Sequence, residues 1–145
     1  MSVFRHSREL PVPPGSVFTA FRDPKRLARW WGPAGFTNTF HTFEFRPGGS
    51  WVFTMHGPDG KDYPNQSEFL EIVPDSRIRL KHVNLPHYEL SVSIEESANG
   101  TTVSWVGVFE NEKFAEKARE FLETANEQNL DRLAREVSAR VRENA

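Results

Sequence analysis

The 145-residue chain contains no cysteine, and this absence removes several classes of function. Without thiols it has no disulfide framework, no thiolate metal site and no cysteine nucleophile. The N-terminal residues lack the apolar run of a signal peptide, and no stretch approaches the roughly 18 apolar residues that a membrane span needs. We therefore expect a cytoplasmic protein without a membrane partner.

The chain also lacks an excess of charge of either sign. Its 18 Lys and Arg residues against 20 Asp and Glu residues give a net charge of −2, which offers no basic surface for nucleic acid. The hydrophobic fraction of 37% and the charged fraction of 26% are typical of globular proteins. No break in composition suggests a linker, so we expect one domain over residues 1–145.

Residues 111–145 contain neither proline nor glycine. Apolar residues recur there every three or four positions, which is the period of one helix face. Because Asn111 is a suitable N-cap, the spacing predicts one uninterrupted helix from Asn111 to about Arg142. The predicted apolar face consists of Phe114, Ala118, Phe121, Leu122, Ala125, Leu130, Leu133, Val137 and Val141.

The preceding residues predict a sheet that can cover this helix. Residues 3–10 read as a strand that ends at a proline cluster, and two short helices follow before residue 40. From residue 40 to residue 110 the pattern alternates with period two and is divided by turn residues, which predicts six more strands. The expected class is α+β, with a seven-stranded curved antiparallel sheet wrapped around a long C-terminal helix.

Such a sheet leaves space between itself and the helix, and this space is a default binding site. Strand alternation and helix periodicity identify the side chains that face it. We expect the protein to bind a small apolar molecule there. The predicted ligand-binding residues are Trp51, Phe53, Met55, Leu80, His82, Leu90, Val92, Trp105, Phe121, Ala125 and Asn126.

Several segments, taken in order, carry a family resemblance: residues 23–33 (DPKRLARWWGP), 46–51 (RPGGSW), 57–60 (GPDG) and 71–74 (EIVP). Together they resemble the activator of heat-shock-protein ATPase homologue family. This family belongs to the START-related, birch-pollen-allergen-like (SRPBCC) superfamily. The resemblance implies a helix-grip fold with an apolar ligand held between sheet and helix.

Two differences from the family affect the expected function. Relatives often carry a Gly-Trp pair midway along the last helix, where this chain has Ala125 and Asn126, so the cavity wall should be smaller and more polar. The eukaryotic co-chaperone of the family has a further N-terminal domain for chaperone binding, to which nothing here corresponds. A contact with a chaperone is therefore kept as an alternative to ligand binding.

Three further alternatives concern chemistry and assembly. His82 is the weak candidate for a catalytic acid–base of a cyclase or isomerase, because imidazole titrates near neutrality, and no other catalytic residue is evident. Trp30, Trp31 and Phe36 form either a gate at the cavity mouth or an apolar plug at one end of the sheet. A homodimer through an exposed sheet face with Val106 and Val108 is also open. 

We expect neither a metal nor another cofactor. The histidines His41, His56, His82 and His87 lie on separate predicted strands and loops rather than at ligand spacing. The glycine pairs of the turns are not followed by a helix start, so they do not read as phosphate-binding loops.

Overall fold

The computed structural model describes residues 1–144, and the side chains of residues 1–139. Its elements follow the order β1 (Ser2–Leu10), α1 (Pro14–Arg22), α2 (Pro24–Trp30), β2 (Thr37–Phe43), β3 (Ser50–His56), β4 (Asp62–Val73), β5 (Arg77–His82), β6 (Tyr88–Ser97), β7 (Gly100–Phe109), α3 (Glu112–Lys117) and α4 (Arg119–Asn144). The predicted α+β class and the strand count are confirmed. None of the described helices is both long and apolar enough to cross a membrane.

The seven strands form one antiparallel sheet in the order β1-β7-β6-β5-β4-β3-β2. Register shifts interrupt the ladder between Phe40 and Thr42 and between Phe69 and Glu71. Such bulges bend a strand and increase its twist, which helps this sheet to curve around α4. The predicted inward residues of β5, β6 and β7 are buried, because one face of the sheet packs on the helices.

Local sequence explains the two short helices at one end of the sheet. Asp23 accepts a hydrogen bond from the backbone N–H of Lys25 at 3.0 Å and caps α2, and Pro24 occupies its first turn. Helix α2 stops at Trp31, and Gly32 follows with a φ of 99°. This positive φ is the reason that the turn needs glycine, and a Cβ there would also displace Cε of Met55, which lies 2.7 Å away.

The expectation of one uninterrupted C-terminal helix is wrong. The helix breaks at Ala118, where φ is −95° and ψ is 7°, so a short α3 precedes α4. The break allows α3 to bury Ala115 against Phe4 and Phe109. The Arg119 guanidinium then lies 4.2 Å from the centre of the Phe4 ring and pairs with carboxylates on both helices.

Two aromatic residues of this region are more exposed than the predicted apolar face requires. Phe114 is 40% exposed and Phe121 is 66% exposed, although the uninterrupted pattern placed both on the apolar face. Beyond the break, Leu130, Leu133 and Val137 are buried as predicted. Val141 lies outside the described side chains.

Ion pairs attach α4 to the rest of the protein. Arg8 of β1 bonds Asp131 at 2.8 Å and Glu127 at 3.0 Å, and the His6 imidazole lies between the carboxylates of Glu123 and Glu127. Farther along α4, Glu136 accepts from Arg26 and Arg29 of α2, both at 2.9 Å. Most of these groups are partly exposed, and exposed ion pairs contribute little to stability. The Glu136 carboxylate is only 11% exposed, so we expect its ion pairs to stabilise the fold the most.

Replacing Glu136 by glutamine should make stability depend less on pH. Burial acts to raise the pKa of Glu136, but hydrogen bonds from Arg29 and Arg26 outweigh it and hold the pKa below its ordinary 4.5. A lowered pKa stabilises the fold above the unfolded value, and this contribution is lost as the pH falls through the folded value. We expect Glu136→Gln to cost roughly 1–3 kcal/mol at pH 7 and clearly less at pH 3.5, measured by urea unfolding.

The matched control is Glu120→Gln, because Glu120 is exposed on the same helix and belongs to no ion pair among the described residues. It should change the free energy of unfolding by less than about 0.5 kcal/mol at either pH. An equal loss for Glu136→Gln at both pH values would show that the carboxylate charge is unimportant.

Candidate functional site

A cavity of about 170 Å³ lies between the sheet and the first half of α4. Buried Leu90, Trp105, Gly107 and Phe109 form its inner wall. The half-buried residues that border it come from α4, from two loops and from β3 and β6, which contribute Met55 and Tyr88. Its full lining is Trp31, Gly32, Pro33, Met55, Pro86, Tyr88, Leu90, Trp105, Gly107, Phe109, Leu122, Ala125, Asn126 and Asn129.

Three polar side chains face this otherwise apolar space. The Asn129 amide donates to the carbonyl oxygen of Trp30 at 3.0 Å, which fixes its orientation. Neither the Asn126 amide nor the Tyr88 hydroxyl hydrogen-bonds another described side chain or backbone group, so both can bond a ligand. Burial raises the pKa of Tyr88 to about 12, and the hydroxyl therefore keeps its proton as a donor at neutral pH.

The loop at the cavity mouth is held to α4 by one arginine. Nη1 of Arg132 donates to the carbonyl oxygens of Trp31, Gly32 and Pro33 at 2.9–3.0 Å, and Nη2 donates to those of Arg29 and Phe36 at 2.6 and 2.9 Å. The carbonyl groups of a helix C-terminus lack partners within the helix and carry partial negative charge. Arg132 therefore caps α2 and fixes the mouth loop.

The charge of Arg132 has no carboxylate partner among the described residues. Burial, assisted by the nearby charge of Arg135, lowers the pKa of the guanidinium from its ordinary value. The carbonyl dipoles thus take the place of a counter-ion. This argues against a freely mobile gate, because opening the loop would break several charge-assisted hydrogen bonds.

Five of the predicted ligand-binding residues line the cavity: Met55, Leu90, Trp105, Ala125 and Asn126. Trp51, Phe53, Leu80 and Val92 are also buried on the inner face, but they pack within the core beyond the cavity wall. Trp51 stacks between Phe53 and Phe69, with ring centres 4.3 and 5.9 Å away. Alternation identified the inner face correctly, but it does not distinguish cavity wall from filled core.

The placement of Phe121 on the inner face is wrong. Its side chain is 66% exposed, because Phe121 lies about two and a half turns before buried Leu130 on the same helix and therefore points to the opposite side. Leu122, the next residue, takes the corresponding position on the cavity wall.

His82 is buried, as its strand position predicts, but it does not line the cavity. Its Nδ1 donates to the carbonyl oxygen of Pro86 at 2.7 Å, and its Nε2 lies 2.8 Å from Oδ1 of Asn65. Tyr88 stacks on the imidazole at 4.7 Å and separates it from the cavity. Burial lowers the pKa of His82, and the engaged ring nitrogens give it a structural role rather than that of an acid–base in the cavity.

The predicted gate residues have different surroundings. Trp30 is 1% exposed, and its indole N–H donates to the carbonyl oxygen of Ala20, so it belongs to the core. Trp31 is also buried and lines the cavity between Trp51 and Trp105. Phe36 is half-buried and packs on Tyr63 at 5.9 Å. Trp30 and Trp31 are therefore packed core residues, which corresponds to the alternative of a plug, whereas Phe36 packs outside this cluster.

Sequence analysis missed Tyr88 and Gly107 as cavity residues. Tyr88 lies two residues before Leu90 on β6, and Gly107 lies two residues after Trp105 on β7, so alternation could have found both. A Cβ on Gly107 would meet only Cε1 of Phe109, at 3.8 Å. The missing side chain at Gly107 is therefore one reason that the cavity exists.

No group of three or more His, Asp or Glu side chains in the described part of the chain could hold a metal ion. Thr39, His56 and Asp62 do form a hydrogen-bonded row, with both bonds to the imidazole at 2.7 Å. This row resembles a nucleophile, a base and an orienting carboxylate. It lies on the exposed outer face of the sheet, where water competes for each group and no cavity wall positions a substrate, so we assign it no catalytic role.

A family model described as "Activator of Hsp90 ATPase homolog 1-like protein" matches residues 11–138, a range that contains every residue lining the cavity. The chain belongs to this family. No curated protein matches the chain closely enough to count as a relative.

Solved structures of similar proteins support the family assignment. A crystal structure of a Chromobacterium violaceum protein is 26% identical, with a TM-score of 0.83, and covers 93% of this chain and 96% of that chain. A solution NMR structure of an Arthrobacter aurescens protein is also 26% identical, with a TM-score of 0.86 and coverages of 94% and 86%. A Nitrosomonas europaea protein, 19% identical with a TM-score of 0.86 and coverages of 95%, shows the shared fold alone. The helix-grip fold expected for the family is thereby confirmed.

Proposed function

We propose that the protein binds a small apolar or amphipathic molecule in the cavity between the sheet and α4. The observation that carries this proposal is a cavity of about 170 Å³ whose wall is largely aromatic and apolar. Its few polar groups, the Tyr88 hydroxyl and the Asn126 amide, would orient a ligand rather than solvate it. This combination is characteristic of small-molecule sites.

The size of the cavity restricts the ligand. Pockets for drug-sized ligands are typically about 300–1,000 Å³, whereas an apolar cavity of about 150 Å³ accommodates a single benzene ring. The enclosed part of a ligand should therefore be about one ring in size. Trp31 and Trp105 supply flat aromatic surfaces for such a group.

Native mass spectrometry of the freshly purified protein, followed by denaturing extraction, tests this proposal. We expect a retained small molecule at one per chain, or a thermal shift with ring-sized apolar compounds. Ala125→Trp should abolish either signal, because Ala125 lines the cavity and an indole there would occupy it. A wild-type protein with neither a retained molecule nor a thermal shift would contradict the proposal.

The control variant is Ala139→Trp, since Ala139 is exposed on the same helix. It should bind as the unmodified protein does.

The family description names an activator of Hsp90 ATPase, and a chaperone contact is the rival proposal. In that case Ala125→Trp should lose no chaperone binding in a pull-down, because surface contacts would be intact.

A further inference from the structure

We propose that the ligand is a neutral phenol with an apolar chain, whose ring occupies the cavity and whose chain lies in an adjoining groove. This inference rests on the proposed function and names the chemical class of its ligand. The groove, called the tail groove below, has a volume of about 390 Å³. It is lined by Leu85, Pro86, His87, Glu110, Asn111 and Phe114.

The tail groove exposes several apolar side chains to water. Leu85 is 80% exposed and Phe114 is 40% exposed, and Pro86 is only half-buried. Single exposed apolar residues are ordinary, but here they line one concave site. An apolar chain lying in the groove would remove these surfaces from water.

The tail groove and the cavity adjoin each other. Pro86 lines both of them. Phe109 of the cavity wall packs against Phe114 of the groove, with ring centres 6.2 Å apart. In this proposal a molecule whose ring fills the cavity extends past Pro86 into the groove, so the occupant of the groove is the rest of the same ligand.

Polar groups in the cavity favour a hydroxyl on the ring. The Tyr88 hydroxyl is a donor and acceptor, and the Asn126 amide offers both functions too. Neither group bonds another described residue, so a ligand hydroxyl can replace the water that would otherwise bond them. A purely aliphatic head would leave them without partners.

Charge excludes a fatty acid from this arrangement. No lysine or arginine lines either compartment in the described residues, so a carboxylate in the cavity would be buried without a counter-ion. In the tail groove a terminal carboxylate would meet the acidic side chain of Glu110. The ligand is therefore neutral at both ends.

A series of 4-alkylphenols, from 4-methylphenol to 4-octylphenol, tests this inference below the concentrations at which the compounds aggregate. Trp31 and Trp105 line the cavity, so quenching of their fluorescence reports binding of the ring. We expect the affinity to rise roughly twofold per methylene, since a chain in an open groove keeps about half of its surface in water. The gain should stop when the chain extends beyond the groove.

The double variant Leu85→Ser/Phe114→Ser removes the apolar walls of the tail groove. In this variant each added methylene should increase the affinity for the alkylphenol by a factor only slightly above one. Phe121→Ser is the matched control, because Phe121 is an exposed aromatic residue of α4 that lines neither compartment. It should keep the full dependence on chain length.

The outcomes separate this inference from the proposed function. If 4-methylphenol binds but longer chains bind no more tightly, or if the double variant keeps the gain, the tail groove is not part of the site while the cavity function stands. If the double variant changes only the oligomeric state in sedimentation, the groove is a contact between copies of the chain and the inference is overturned. If no member of the series binds while native mass spectrometry finds another retained molecule, the phenol is ruled out and the cavity function stands.

Discussion

Replacing Arg132 by methionine is expected to lower the free energy of unfolding by roughly 3 kcal/mol. The reason is the set of five carbonyl oxygens that its guanidinium bonds at the end of α2 and in the mouth loop. Methionine keeps much of the aliphatic packing but leaves these acceptors without a donor. Equilibrium unfolding in urea at pH 7 measures the loss.

Two further variants test what causes this loss. They separate the shape of the Arg132 guanidinium from its positive charge, and the position of Arg132 from other positions on the helix. Arg132→Lys keeps the positive charge but lacks the planar fork that reaches several acceptors, so it should recover less than half of the loss. Arg135→Met, at an exposed position on the same helix, should cost less than about 0.5 kcal/mol. If Arg132→Met were equally mild, the mouth loop would be held by its aromatic packing alone.

The same substitution should loosen the loop locally. In Arg132→Met, amide hydrogen exchange in residues 31–36 should become faster than the change in global stability explains. Ligand affinity should fall with it, because Trp31, Gly32 and Pro33 form one wall of the cavity. Unchanged exchange in this segment would contradict the role of Arg132 in fixing it.

Gly107→Leu is expected to abolish ligand binding while leaving the protein at least as stable. The backbone of Gly107 is in a strand and has no positive φ, and a Cβ there meets only Phe109, at 3.8 Å. A side chain at this position reduces the freedom of the unfolded chain and fills empty space, which together stabilise by about 0.5–1 kcal/mol. The same atoms occupy the space that the ligand needs.

Binding should therefore weaken at least about tenfold, which corresponds to about 1.4 kcal/mol, while the thermal midpoint rises or stays constant. The control is Val106→Leu, which adds a methylene on the opposite face of the same strand. It should leave binding unchanged. Full binding by Gly107→Leu would show that the ligand lies elsewhere, whereas a strongly destabilised variant would show that the cavity is too rigid to accept the side chain.

Local sequence patterns were sufficient to predict most of the secondary structure. Asp23 and Pro24 begin α2 because a capping side chain and a preset φ act within a few residues, and Asn111 caps α3 by bonding the N–H of Phe114. The alternation in β5 and β6 placed Leu80, Leu90 and other alternate residues of these strands on the buried face. These features depend on short-range geometry that a sequence carries directly.

The break at Ala118 could not be predicted in this way. No proline or glycine marks it, and the contacts that accompany it join residues far apart in the chain: Ala115 with Phe4 and Phe109, and Arg119 with the Phe4 ring. Long-range packing overrides the local pattern here, as it often does where propensity is uniform.

The fold class, the buried face of the sheet and the resemblance that the family match confirms follow from residue patterns alone. The folded protein was needed to show which buried residues border empty space, that His82 lies behind Tyr88, and that Arg132 fixes the mouth loop. The reason is physical. Alternation and helical period specify the direction of each side chain, whereas a cavity is the volume that side chains from distant segments leave unfilled.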